Sequence, residues 1–174
     1  MTEIGTVDID NVLLDARSGD LEALKEYFQA LKEQVGVEPS AVLDQFKDEY
    51  SHSTALHMAS ANGHVEVVEY LLSINNDKKI VNAQNESGNT ALHWASYNGH
   101  LEVVKKLCDA GADPFIHNEG GHDVFYDAEE HEEVIDFLLS KYSIEPEEDD
   151  GPQEQEETGN DVADEVKDMN LTTN

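Results

Sequence analysis

Apolar residues recur along the chain with a helical spacing, and they do so twice in nearly the same setting. The two stripes are Val65, Val67, Val68, Leu71 and Leu72, and then Leu101, Val103, Val104, Leu107 and Cys108. Each stripe follows the segment Thr-Ala-Leu-His-x-Ala-Ser-x-Asn-Gly-His, which begins at residue 54 and again at residue 90, an offset of 36 residues. Glycine favours a tight turn between segment and stripe. Each copy therefore predicts two short helices.

Two weaker copies flank this pair, and they depart from the pattern as terminal caps do. The front copy has the two-helix part without Thr-x-Leu-His. The back copy has Asp123 at the threonine position and ends in a helix predicted over residues 132–142. These copies predict a domain of residues 1–144 with four repeats, at about 8–35, 50–82, 86–115 and 119–144.

Extra residues beyond the repeat unit fall in two places. The polar run within residues 73–79 predicts a longer surface loop. Residues 36–50 include Pro39 and an expected helical turn at 41–46, but the sequence does not place this stretch.

The composition changes from Glu145 onward. Residues 145–174 contain 12 acidic residues and one lysine, so they carry −11 of the formal charge of −29. This segment has no aromatic residue and few aliphatic ones, so it cannot bury enough surface to fold alone. We predict a disordered acidic C-terminal tail.

The charge of the whole chain indicates what it binds. Its 39 acidic and 10 basic residues work against binding nucleic acid directly or an anionic membrane surface, so we expect a basic partner. No apolar run reaches the length of a membrane span, and the first ten residues are acidic where a secretion signal is basic. We expect a monomer in the cytoplasm and the nucleus.

The repeated segment resembles the Thr-Pro-Leu-His-x-Ala signature of the ankyrin repeat, with alanine in place of proline. Alanine is accepted in the first helical turn, so the replacement changes little. The resemblance implies an all-α repeat solenoid, each repeat being a helix-turn-helix followed by a hairpin loop. It also implies that His57 and His93 join the loop of one repeat to the next by hydrogen bonds.

Residues suited to catalysis or metal binding are explained better by structure. The eight histidines fall on the repeat motif or on loops and caps, without cysteine or carboxylate partners at zinc-ligand spacing, so we expect no metal site and no cofactor. The single cysteine, Cys108, is expected to be a buried reduced thiol. Nucleophile arrangements and phosphate-binding loops are missing from the sequence, which predicts a protein that is not an enzyme.

The ankyrin resemblance also implies which side chains face a partner. Met58, Trp94 and Tyr97 fall at positions that line the groove of the repeat stack, where aromatic rings can hold the stems of lysine and arginine. The same mapping places Asn62, Asn98, Asp127 and Glu130 in the groove, which we expect to be rimmed by carboxylates, and Tyr50, Glu86 and Asn89 near hairpin tips. The structural alternative is that Trp94 packs on a neighbouring repeat.

Several stretches resemble a narrower family, the fungal ankyrin-repeat chaperones of the KH-domain protein of the small ribosomal subunit. They include Gly-Asn-Thr-Ala-Leu-His-Trp-Ala-Ser at residues 88–96, Asp-Pro-Phe-Ile at 113–116 and Glu-Pro-Glu at 145–147. This resemblance implies a role in ribosome biogenesis: binding the newly made basic protein, through a basic amphipathic helix in the groove, and shielding it from polyanions until assembly. The alternative is a regulatory or scaffolding ankyrin module for a kinase or a transcription complex, since one fold hosts many functions.

Overall fold

The structure is a computed structural model that describes residues 6–142, so the predicted tail lies outside the described residues. The α-helices are α1 (Thr6–Ser18), α2 (Leu21–Ala30), α3 (Ala55–Ala61), α4 (Val65–Ile74), α5 (Lys78–Val81), α6 (Ala91–Tyr97), α7 (Leu101–Asp109), α8 (Val124–Asp127) and α9 (Glu132–Tyr142). Residues 6–142 contain no strand, and their β-type pairing is a single bridge between Lys47 and Thr54. The predicted all-α fold is confirmed.

The helices pack as two rows. The inner row is α1, α3, α6 and α8, and the outer row is α2, α4, α7 and α9, each helix lying against the next of its row. Small side chains allow the inner helices to approach closely, since Ala16, Ala59 and Ala95 are fully buried. The outer helices each bury one leucine in the shared core: Leu24, Leu71, Leu107 and Leu138. Each helix pair therefore depends on its neighbours for burial, as in other repeat proteins.

The inner helices α3 and α6 begin with reciprocal caps that the motif encodes. The Thr54 hydroxyl accepts a hydrogen bond from His57 N, and the His57 ring accepts one at Nδ1 from Thr54 N. The same pair of bonds joins Thr90 and His93. Because Nδ1 accepts, Nε2 carries the proton and donates to a carbonyl of the next hairpin, which is Asn89 O at 2.9 Å for His57. The expected histidine ties between repeats are confirmed.

A second set of histidines links each repeat to the one before it. The Nε2 atoms of His64, His100 and His131 lie 2.9, 3.1 and 2.9 Å from the carbonyl oxygens of Arg17, Ala61 and Tyr97. Each ring covers a glycine that has a positive φ, namely Gly19, Gly63 and Gly99. The pattern stops at both ends, because the first repeat has Asp20 at the histidine position and the fourth has Glu130 at the glycine position. We call these three contacts the glycine–histidine ladder.

The structure corrects two expectations outside the repeats' centres. The loop expected over residues 73–79 is shorter, because α4 continues to Ile74 and a new helix starts at Lys78, with Asp77 as its N-cap. The stretch 36–50 forms two short 3₁₀ turns, Pro39–Ala41 and Leu43–Gln45, the second of which lies inside the predicted turn. Cys108 is buried, as expected.

Candidate partner-binding groove

The inner helices line a groove with a volume of about 650 Å³. Seven of the side chains that the sequence placed at a partner surface lie there: Met58, Asn62, Asn89, Trp94, Tyr97, Asn98 and Asp127. Met58, Trp94 and Asp127 form a row, because each follows the N-cap of its helix by four residues. The spacing of the repeats therefore brings equivalent positions of α3, α6 and α8 to one surface.

The two aromatic residues of α6 are both accessible from the groove. Tyr97 is 67% exposed, and Trp94 is half-buried, with its ring edge-on to His57 at a centroid distance of 6.5 Å. Trp94 thus contacts the preceding repeat, as the structural alternative supposed, and also lines the groove. A side chain with one face packed and one face open is held in place for contact with a ligand.

Hydrogen-bond acceptors alternate with these rings. The side-chain amide of Asn62 donates from Nδ2 to Met58 O at 2.8 Å, and that of Asn98 donates to Trp94 O at 2.8 Å. These bonds fix the orientation of the two amides. Neither Oδ1 accepts a hydrogen bond from another described residue. The Asp127 carboxylate lines the same surface. The groove therefore offers oxygen acceptors, which suit the N–H groups of lysine and arginine.

The described lining of the groove contains one carboxylate, and the expected rim of carboxylates around it stays a prediction. Asp127 is the carboxylate among the described lining residues, and burial raises its pKa above the ordinary range. Glu130 was placed in the groove by assuming that α8 is as long as α3 and α6. Because α8 ends at Asp127 and a turn follows, Glu130 lies at the ladder's glycine position and outside the lining.

The residues predicted at hairpin tips divide between the groove and the outer surface. Tyr50 is 80% exposed, and its backbone N–H donates to the Asp48 carboxylate at 3.1 Å, which holds the tip. Glu86 is exposed, and its N–H donates to Ser51 O at 2.8 Å, joining two successive tips. Tyr50 and Glu86 lie outside the groove lining, whereas Asn89 belongs to it. Contact between these tips and a partner stays a prediction.

The groove also contains residues that the sequence reasoning missed, which are Arg17, Ala61, His93 and Asn118. The repeat register indicates Arg17 as a groove residue, because it precedes Gly19 by two residues just as Tyr97 precedes Gly99. His131 is one of the histidines that the motif leaves to loops and caps, but the structure shows that it is a member of the ladder. Its signal was hidden because Glu130 replaces the glycine that precedes the other two ladder histidines.

Two kinds of feature are missing from the described part of the chain. Residues 6–142 contain no group of three or more histidine, cysteine, aspartate or glutamate side chains placed to hold a metal ion. None of the helices in this range is long and apolar enough to cross a membrane.

Comparison with known proteins agrees with the repeat architecture. A family model of ankyrin repeats in three copies matches residues 13–118. The ankyrin repeat-containing protein YAR1 of Saccharomyces cerevisiae is 51% identical over 152 residues, which cover 82% of this chain and 73% of that protein. An ankyrin repeat-containing protein of Schizosaccharomyces pombe is 38% identical over 135 residues, covering 76% of this chain and 85% of its own length.

A solved structure is similar as well. It is a crystal structure of the yeast ribosomal protein Rps3 in complex with its chaperone Yar1, and it matches with a TM-score of 0.75 and 48% identity. The match covers 84% of this chain and all of the matched chain. Together with the helix pairs and the capped Thr-Ala-Leu-His motifs described above, these similarities show that the chain belongs to the ankyrin repeat family.

Proposed function

We propose that this protein is a dedicated chaperone of the KH-domain protein of the small ribosomal subunit, which it binds in the groove between synthesis and assembly. The observation that carries the proposal is the acceptor-rich groove with accessible aromatic rings. The similarity to Yar1, whose solved complex contains Rps3, supports it. The proposal places the protein in the cytoplasm and the nucleus and assigns it no catalytic activity.

The groove suits a basic amphipathic helix. Trp94 and Tyr97 can pack against the aliphatic stems of lysine and arginine, while Asn62, Asn98 and Asp127 accept hydrogen bonds from their charged heads. The contacts in the groove therefore supply specificity through shape and hydrogen bonds rather than through a dense cluster of charge.

The remaining negative charge acts at longer range. The formal charge of −29 attracts a basic protein before contact and raises the association rate. A ribosomal protein without its RNA exposes unneutralised positive charge, which binds other polyanions and aggregates with them. A chaperone that covers this surface keeps the protein soluble.

The test uses the purified full-length chain and the purified ribosomal protein. We expect a 1:1 complex by size-exclusion chromatography with light scattering, and we expect the ribosomal protein to stay soluble when RNA is added. Tyr97→Ala should weaken the complex, because Tyr97 is exposed in the groove. Phe115→Ala is the matched control, since Phe115 is also a half-exposed aromatic but lies outside the groove lining.

Two results would contradict the proposal. The first is the lack of a complex between the two wild-type proteins. The second is a complex that Tyr97→Ala and Phe115→Ala weaken equally, which would place the contact elsewhere. Stoichiometric recovery of a kinase or a transcription factor by the wild-type protein, in place of the ribosomal protein, would favour the regulatory alternative.

A further inference from the structure

The charged side chains that line the groove stand at its opposite ends. Arg17 belongs to α1, the first inner helix, and Asp127 belongs to α8, the last. The inner helices contact one another in the order α1, α3, α6, α8. The lining between the two ends is uncharged, because burial lowers the pKa of His93 and keeps its ring neutral. A ligand that spans the groove therefore meets a cation at one end and an anion at the other.

Among the described basic residues without an ion pair, which are Arg17, Lys47, Lys78 and Lys79, Arg17 is the one that lines the groove. Five lysines pair with carboxylates, namely Lys25, Lys32, Lys105, Lys106 and Lys141. Arg17 is exposed and makes no ion pair with another residue of the described range. Its backbone is nevertheless held, because Arg17 O lies 2.9 Å from His64 Nε2 in the ladder. The backbone of Arg17 is thus fixed, while its charged side chain is exposed at the edge of the groove.

The distance between the two ends matches a helix of ordinary length. Packed helices lie about 8–10 Å apart, so the three steps from α1 to α8 span roughly 24–30 Å. A helix laid across the inner row needs about 16–20 residues to cover that span, at a rise of 1.5 Å per residue. Leu14 extends the surface beside Arg17, since it holds the position equivalent to Met58 and Trp94 and is 61% exposed.

We propose that Arg17 and Asp127 fix the direction in which a partner helix lies in the groove, a role that rests on the function proposed above. A carboxylate near one end of the helix binds Arg17, and a lysine or arginine near the other end binds Asp127. A helix placed the other way brings its cation to Arg17 and its carboxylate to Asp127, and like charges in contact disfavour that arrangement. Arg17 is thus a specificity-determining residue in a groove that otherwise favours cations.

Charge reversal at Arg17 gives a test whose sign separates this role from general electrostatics. Arg17→Glu makes the protein more negative, so long-range attraction alone should strengthen binding of a basic partner. We expect the opposite, a loss of about tenfold in affinity for the ribosomal protein, because a carboxylate then faces the partner's carboxylate. Arg17→Ala should show a smaller loss of the same sign and guards against poor folding of the reversal variant.

Lys78→Glu is the matched control for Arg17→Glu. Lys78 is exposed, makes no ion pair with another described residue and lies on α5 outside the groove lining, so it changes the net charge equally. We expect its affinity to equal or exceed that of the wild type by isothermal titration calorimetry. If Arg17→Glu and Arg17→Ala bind as tightly as Lys78→Glu, Arg17 contributes net charge alone and the inference is overturned. Absence of a wild-type complex would instead refute the proposed function.

The direction itself is visible by cross-linking. A photoreactive phenylalanine analogue is placed at Leu14 or at Tyr126, two exposed positions beside Arg17 and Asp127 that leave both charges intact. We expect the two positions to label opposite ends of one partner helix, with an acidic residue beside the Leu14 site and a basic one beside the Tyr126 site. Labelling of the same partner residues from both positions would mean that the helix binds in both directions, which overturns the inference.

Discussion

The glycine–histidine ladder predicts that one glycine is far less replaceable than another with the same backbone conformation. Gly63 has φ +74° and Gly36 has φ +72°. A Cβ on Gly63 would lie 2.8 Å from His100 Nδ1 and 2.9 Å from Cε1, whereas a Cβ on Gly36 would meet nothing within 4 Å. Substitution by alanine therefore raises the backbone torsional energy by a similar amount at both sites. At Gly63 it also adds a steric clash.

The two costs follow from separate contributions to stability. A left-handed backbone costs an L-residue roughly 1–2 kcal/mol, partly offset because alanine lowers the entropy of the unfolded chain. Gly36→Ala should therefore lower the free energy of unfolding by about 1 kcal/mol. Gly63→Ala must also displace the His100 ring and its hydrogen bond to Ala61 O, which adds about 2 kcal/mol.

The assay is urea denaturation of each variant followed by circular dichroism at a helical wavelength. We expect losses of about 3 kcal/mol for Gly63→Ala and about 1 kcal/mol for Gly36→Ala, with the urea dependence unchanged. Equal losses in the two variants would show that the backbone angle alone explains the glycine and that the ring contact contributes nothing. A change in the urea dependence would mean that the repeats no longer unfold together.

Further expectations concern binding, pH and strain. Trp94→Ala should lower partner affinity by about 2 kcal/mol with a smaller loss of folding stability, and collapse of the melting transition would show that Trp94 acts mainly as core. Burial lowers the pKa of His57 to about 4 from 6.5, so the unfolded state takes up the proton first. The free energy of unfolding should fall by up to about 3 kcal/mol as the pH drops from 6.5 to about 4. Urea titrations of His57→Gln over the same pH range should lack this part of the loss. The association rate with the ribosomal protein should fall as salt rises from low to physiological, and a flat profile in stopped-flow experiments would contradict steering by the net charge. His52 holds φ 56° where the next two hairpins have glycine, so His52→Gly should raise the melting temperature, consistent with about 0.5–1 kcal/mol of relieved strain.

The parts of the fold that were predictable are those in which packing and local chemistry agree. The last described helix was expected over residues 132–142 and is observed as Glu132–Tyr142, because its apolar stripe is continuous and a turn at residues 128–130 precedes it. The capped helices α3 and α6 follow from Thr54 and Thr90, whose side chains stop the chain from extending the helix backward.

The errors came from insertions and deletions, which a repeat pattern cannot locate by itself. The fourth repeat reaches its ladder histidine 31 residues after His100 rather than 36, so α8 is short and Glu130 leaves the groove. Nothing in the local sequence of α8 opposes another helical turn. The position of His131 under Gly99 decides where the helix ends, and that is a tertiary contact.

The charge of the groove was likewise not predictable from the sequence pattern. Composition counts every carboxylate equally, but the two rows of helices separate the surface into faces. Glu66 and Glu102 fall in the first turns of the outer helices α4 and α7, while the groove lining consists mostly of neutral amides and rings. Net charge therefore indicates a basic partner but cannot predict the chemistry of the contact surface.

The two ends of the ladder determine how such an array can grow. A new unit appended after the fourth repeat would bring its own imidazole against the Cβ of Glu130. A unit added before the first repeat would lack a histidine contact for its glycine, because Asp20 stands at the histidine position. A unit duplicated between the second and third repeats carries both a glycine and a histidine, so it satisfies each neighbour. Lengthening by internal duplication is thus compatible with the stack, whereas terminal addition needs compensating substitutions at residue 20 or residue 130.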